Sequence, residues 1–107
     1  MSEDNKAKFN ELVGLVLRKL VNACPSNVKL TAATFNLPEG QFEELPEPAN
    51  VLFDVGNYIP SPEEDMLSET LGWLVEEGFI RRKEGKTYVA TLQALKVYGA
   101  VPSALAE

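Results

Sequence analysis

Four cations, Arg81, Arg82, Lys83 and Lys86, fall within six residues, and Glu84 is the one acid among them. Such a cluster can hold a phosphate backbone or an acidic protein surface through charge-assisted hydrogen bonds. It can equally be a solvated hairpin tip, since charge on an edge strand blocks unwanted pairing. A second cluster, Glu63-Glu64-Asp65, would attract a divalent cation, yet acids at a helix start also complement the helix dipole. Cys24 is the one thiol, and with no His in the chain a Cys-His nucleophile cannot be assembled. It reads as a small buried residue. Glu43 and Glu44 sit among prolines with no apolar pocket in view that would raise a carboxyl pKa, so acid-base catalysis has no support there. No nucleophile, base and oxyanion donor can be named together, and no Gly-rich phosphate loop follows a strand. The expectation is a non-enzyme that needs no cofactor and no metal.

Composition narrows the classes further. The chain has 107 residues, 45 % of them hydrophobic, which suits one domain with a real core. Sixteen Asp and Glu against ten Lys and Arg give a net charge of -6, which on average repels nucleic acid and acidic membranes. The charge is unevenly laid out: residues 30 to 80 hold eleven acids and no cation. A single Cys, an acidic start without a signal-peptide pattern, and no long apolar run lead us to expect a cytoplasmic protein with no membrane contact.

The elements that must position these residues follow from periodicity. Phe9, Leu12, Val13, Val16, Leu20 and Val21 recur at helical spacing and predict a helix over 5–23, with Asp4 as its N-cap and Pro25 as its stop. Leu17 widens the apolar stripe and Leu15 falls on the otherwise polar side near Glu11, Arg18 and Asn22; the broad stripe serves either the chain's own core or a two-fold contact in a homodimer. Val28 to Leu37 reads as a short strand or a short helix. Residues 38–60 form a proline-rich acidic insertion, within which Ala49 to Val55 could anchor one short element. Ser61-Pro62-Glu63-Glu64 is a capping box with Pro at the first helical position, and predicts a helix over 62–77 stopped at Gly78. Trp73 on that helix is either core or a partly exposed binding anchor. Glu84-Gly85 predicts a two-residue hairpin loop, which sets Ile80 opposite Val89, Arg81 opposite Tyr88 and Lys83 opposite Lys86. Ile80 and Val89 then face the core and Arg81 stacks on Tyr88. Thr91 would cap a last helix, Leu92 to Tyr98, with Leu92, Leu95 and Tyr98 on one side. Residues 100–107 make a tail or a strap.

The run Leu74-Val-Glu-Glu-Gly78-Phe-Ile80, followed by Tyr88-Val-Ala-Thr91-Leu-Gln-Ala94-Leu95, resembles the winged helix-turn-helix superfamily. The resemblance extends over Leu71 to Leu95, with Ala94 standing where such proteins often place Gly. It implies that the helix before the wing enters a DNA major groove and that the wing touches the backbone or minor groove. Helix 62–77 carries Glu63, Glu64, Asp65, Glu69, Glu76 and Glu77 and no cation, so it would meet phosphates with repulsion.

The chain is therefore expected to be one α+β, winged-helix-like domain over 1–107, a helical core with a C-terminal hairpin wing and a short helix after it. Its expected role is a non-catalytic interaction or regulatory module that binds a protein partner through Asp65, Glu69 and Glu76. The alternative is a transcriptional regulator that contacts DNA through the wing only, with Arg81, Arg82, Lys83 and Lys86. Leu15 and Leu17 are the candidate dimer face.

Overall fold

The computed structural model describes residues 3–42 and 58–106. The expected element at 49–55 and the pair Glu43 and Glu44 lie outside them. The described chain is an α+β domain with four helices and two small antiparallel sheets. Helix α1 spans Glu3–Ala23, starting earlier than the periodicity predicts. Asp4 therefore sits inside the first turn rather than capping it, with one oxygen 3.9 Å from the Lys8 amine. The ambiguous stretch after α1 contains both candidate structures in turn, strand β1 (Val28–Lys29) and a single 3-10 turn (Ala33–Phe35).

Helix α2 (Pro62–Glu76) begins as its sequence dictates. The Ser61 hydroxyl accepts from Glu64 N–H, and the Glu64 carboxylate accepts from Ser61 N–H, closing the capping box. The face it buries comprises Leu67, Thr70, Leu71 and Leu74, and it packs against Leu12, Val16 and Leu20 of α1. Each such Leu withdrawn from water contributes about 1.5–3 kcal/mol before chain entropy is counted. Thr70 lies in this contact without cost in unpaired polarity, because its hydroxyl donates to the Met66 carbonyl.

Strands β4 (Ile80–Arg82) and β5 (Thr87–Ala90) form the hairpin, and β1 adds to the far side of β5, so the sheet order is β1-β5-β4. The register is one residue away from that expected. Ile80 pairs with Ala90, Arg81 with Val89 and Arg82 with Tyr88. Lys83 N–H donates to the Thr87 carbonyl at 2.8 Å, so the loop is Glu84, Gly85 and Lys86 rather than two residues. A one-residue slip exchanges the faces of a strand. The observed register buries Ile80, Tyr88 and Ala90 together and leaves Val89 outside, so packing of a large aromatic outweighs the preference for a two-residue turn. Gly85 takes φ +64° at the tip, where a side chain would be strained.

The C-terminal part also differs in detail. Helix α3 spans Leu92–Val97, and the Thr91 hydroxyl does not cap it. That hydroxyl instead donates toward the Gly78 and Phe79 carbonyls, tying α3 to the end of α2. Of the residues expected on the inner side, Leu95 is buried as predicted, together with Ala94, whereas Leu92 and Tyr98 are exposed. The chain then forms one more short helix, α4 (Ser103–Ala106), with Leu105 exposed. Among the described residues no helix is long and apolar enough to cross a membrane.

Candidate functional site

Three surfaces gather the residues singled out by the sequence. The first is the outer side of α2. Asp65, Glu69 and Glu76 are all exposed there, and Trp73 joins them at 44 % exposure. Helical spacing of four, four and three residues strings Asp65, Glu69, Trp73 and Glu76 along one flank of α2. Trp73 is held by an edge-to-face contact with Phe9 of α1, ring centroids 5.1 Å apart. An indole fixed by a neighbouring ring, exposed and flanked by carboxylates, has the amphipathic character that binding anchors use.

Beside this flank, side chains of α1 and α2 line a groove. One hollow of about 330 Å³ is lined mainly by Leu12, Leu15, Leu37, Pro62 and Met66. A second, of about 280 Å³, runs on toward Phe9 and Trp73. Asn5 and Met66 line both, so the two are continuous. The rim carries Glu11, Glu63 and Glu69 against one amine, Lys8. Of the two candidate dimer residues, Leu15 lines this groove half-buried. Leu17 belongs to the core instead, at 5 % exposure, and has almost no surface to share with a second copy.

The second surface is the sheet. The pleat divides the basic cluster that is continuous in sequence. Arg81 on β4 and Lys83, the residue just after it, share the outer face with Val89 and Thr87 across the hairpin. On the other side of β5, Lys29 pairs with Thr87 and so joins the same face. Among the described residues the one ion pair is Lys8 with Asp4, so these three cations are not neutralised by a bridge. Arg82 points the other way, its guanidinium 5.6 Å from the centroid of the Tyr88 ring; the cation-aromatic pair expected of Arg81 is made by Arg82. Lys86 lies over a hollow shared with Glu64, Ser68 and Tyr88, not opposite Lys83. Lys29 escaped the sequence reading because it is more than fifty residues from the cluster, and only strand pairing brings it there.

The third feature is a polar latch that the capping box hinted at but did not reveal. Strands β2 (Gln41–Phe42) and β3 (Tyr58–Ile59) form a two-stranded ribbon, with Phe42 and Tyr58 in edge contact at 5.2 Å. The Tyr58 hydroxyl donates to both Glu64 oxygens, at 2.7 and 2.8 Å, and Gly40 N–H donates to Glu64 Oε1 at 2.6 Å. The Ser61 hydroxyl reaches the Pro38 carbonyl at 2.6 Å. With Ser61 N–H as the largest influence and the Tyr58 hydroxyl next, these donors hold the Glu64 carboxyl below the usual range. The same carboxylate raises the Tyr58 pKa. Gly40 fits only without a side chain, because a Cβ would run into the Ile59 carbonyl and Pro60. The latch joins the ribbon to the start of α2 and also engages the middle member of the Glu63-Glu64-Asp65 cluster. Cys24, half-buried, turns its thiol toward the Ala90 carbonyl at 3.9 Å.

Compared with known protein families, with curated proteins and with solved structures, this chain matches none.

Proposed function

We propose that this chain is a non-catalytic interaction module that binds a positively charged protein partner through the outer flank of α2 and the adjoining groove. The observation that carries the reading is Trp73, 44 % exposed on a described surface where Asp65, Glu69 and Glu76 supply charge around it. An exposed indole and carboxylates favour Lys and Arg on the partner, through ion pairs and cation-aromatic contacts. The sheet order β1-β5-β4, with a hairpin between α2 and α3, supports a winged-helix arrangement in which the helix before the wing serves protein binding. The test is affinity capture with the wild type and with Glu69→Lys combined with Glu76→Lys, after circular dichroism has established that both fold alike. Loss of captured partners in the variant is expected; an unchanged set would reject this face.

A second reading, a regulator that touches nucleic acid, is favoured by one specific observation: Lys29, Arg81 and Lys83 lie on one outer face of the sheet. It requires saturable binding of duplex DNA at about 50 mM salt, where phosphate contacts are strongest in the ordinary range.

A further inference from the structure

We infer that the groove between α1 and α2 takes a basic amphipathic helix of the partner, with two bulky apolar side chains seated in its two hollows. This inference rests on the proposal that the α2 flank is a protein-binding surface, and it names the form of what binds there.

The chemistry of the walls selects a helix. Apart from Leu37, the lining residues belong to the helices α1 and α2, and none belongs to a strand, so the groove offers no strand edge to an extended peptide. An extended segment laid on Leu12, Leu15, Met66 and Trp73 would bury its own N–H and C=O groups without partners, and each such group costs free energy. A helix bonds its own backbone and presents only side chains. Length agrees with this. The lining residues run from Pro62 to Trp73 on α2 and from Asn5 to Leu15 on α1, a track of about 15 Å at the helical rise. Residues facing the two hollows are offset along α2 by about six positions, or about 9 Å, a distance reached by side chains one to two turns apart on a docked helix.

Charge selects the sign. Glu11, Glu63 and Glu69 edge the groove against Lys8, and Lys8 already faces Asp4. A basic helix would find ion pairs along both sides. The chain's own stretch 43–57 carries Glu43, Glu44, Glu47 and Asp54 and no cation, so it would meet the rim with repulsion.

The experiment pans a displayed library of random peptides of about 16 residues, long enough to span the track as a helix, against the full chain. Enriched sequences are expected to be net basic, with bulky apolar residues at i and i+4 or i and i+7. A synthesised peptide of that kind should gain helicity on binding and bind Trp73→Ala at least about tenfold more weakly. A scrambled peptide of the same composition should lose affinity to a similar degree. No enrichment, acidic or proline-rich winners, binding without a gain in helicity, or indifference to Trp73→Ala would each overturn the inference. So would competition by a peptide of residues 43–57, or a dimer in sedimentation that Trp73→Ala dissolves, since either would assign the groove to this chain itself. If scrambled and ordered peptides bind equally and Glu69→Lys weakens both, the acidic surface stands and the helix fails. If ordered peptides bind as expected while affinity capture ignores Glu69 and Glu76, the groove stands and the wider flank fails.

Discussion

At the scale of residues, Glu64 both caps α2 and holds the ribbon, and its carboxylate should govern the pH range over which the ribbon stays attached. Its folded pKa lies below that of the unfolded chain, so its contribution to stability is complete above about pH 4.3 and is lost as the pH falls through the lower folded value. Tyr58 has the opposite sign. Its pKa is raised, so the neutral phenol contributes fully below about pH 10 and the contribution is lost as the pH rises through the folded value. Thermal unfolding followed from pH 2 to 11 should therefore show an acid arm that flattens in Glu64→Gln and an alkaline arm that flattens in Tyr58→Phe; wild-type slopes in both variants would contradict the latch. Ser61→Ala removes the cap itself and should cost about 1 kcal/mol at neutral pH, read as a lowered melting temperature. The capping half of this site is legible in four consecutive residues, because Ser, Pro and Glu at those offsets satisfy local orphan donors. The other half is not, since Gly40 and Pro38 lie more than twenty residues from their partners Glu64 and Ser61 and no local pattern encodes that approach.

At the scale of elements, the hairpin illustrates how a correct local signal can yield a wrong register. Glu84-Gly85 does mark the turn, but the turn residues alone do not specify a loop of two or of three. The decision is made by Tyr88 and Ala90, which gain burial beside Ile80 only in the longer loop. Substitutions can separate the two registers. Tyr88→Ala should cost about 3–5 kcal/mol, the range for removing a large buried aromatic side chain. Ala90→Leu should cost about 1–3 kcal/mol by overpacking, while Val89→Thr on the outer face should stay under about 1 kcal/mol. Urea unfolding midpoints at constant slope measure all three. A larger penalty at Val89 than at Ala90 would restore the two-residue turn. Trp73 shows the same limit in a helix. Its position on the edge of the apolar arc is readable from the 3.6-residue period, but whether that edge is covered depends on the angle at which α1 crosses, and Phe9 meets it from the side without enclosing it.

At the scale of the whole molecule, the fold sorts charge more sharply than the chain does. The carboxylates of α2 and the cations Lys29, Arg81 and Lys83 lie on separate elements, and the sheet turns Arg82 and Lys86 away from those three. This split makes a quantitative demand on any contact with nucleic acid. Three cations on one face can release counterions from about three phosphates, so the logarithm of affinity should fall with the logarithm of salt at a slope no steeper than about -2.7. At that slope a fourfold rise in salt costs about fortyfold in affinity, and with a net charge of -6 opposing approach, binding should vanish at physiological salt. Fluorescence titration of a labelled duplex between about 50 and 200 mM salt measures the slope. Lys29→Glu, although more than fifty residues from the hairpin in sequence, should abolish residual binding as effectively as Arg81→Glu. Lys86→Gln should leave it nearly intact, because that amine lies beside Glu64 on the other side of the sheet. A slope near -4 that loses one unit with each of Arg81, Arg82, Lys83 and Lys86, and none with Lys29, would mean that the hairpin binds as a continuous tip and that the pleat does not divide it.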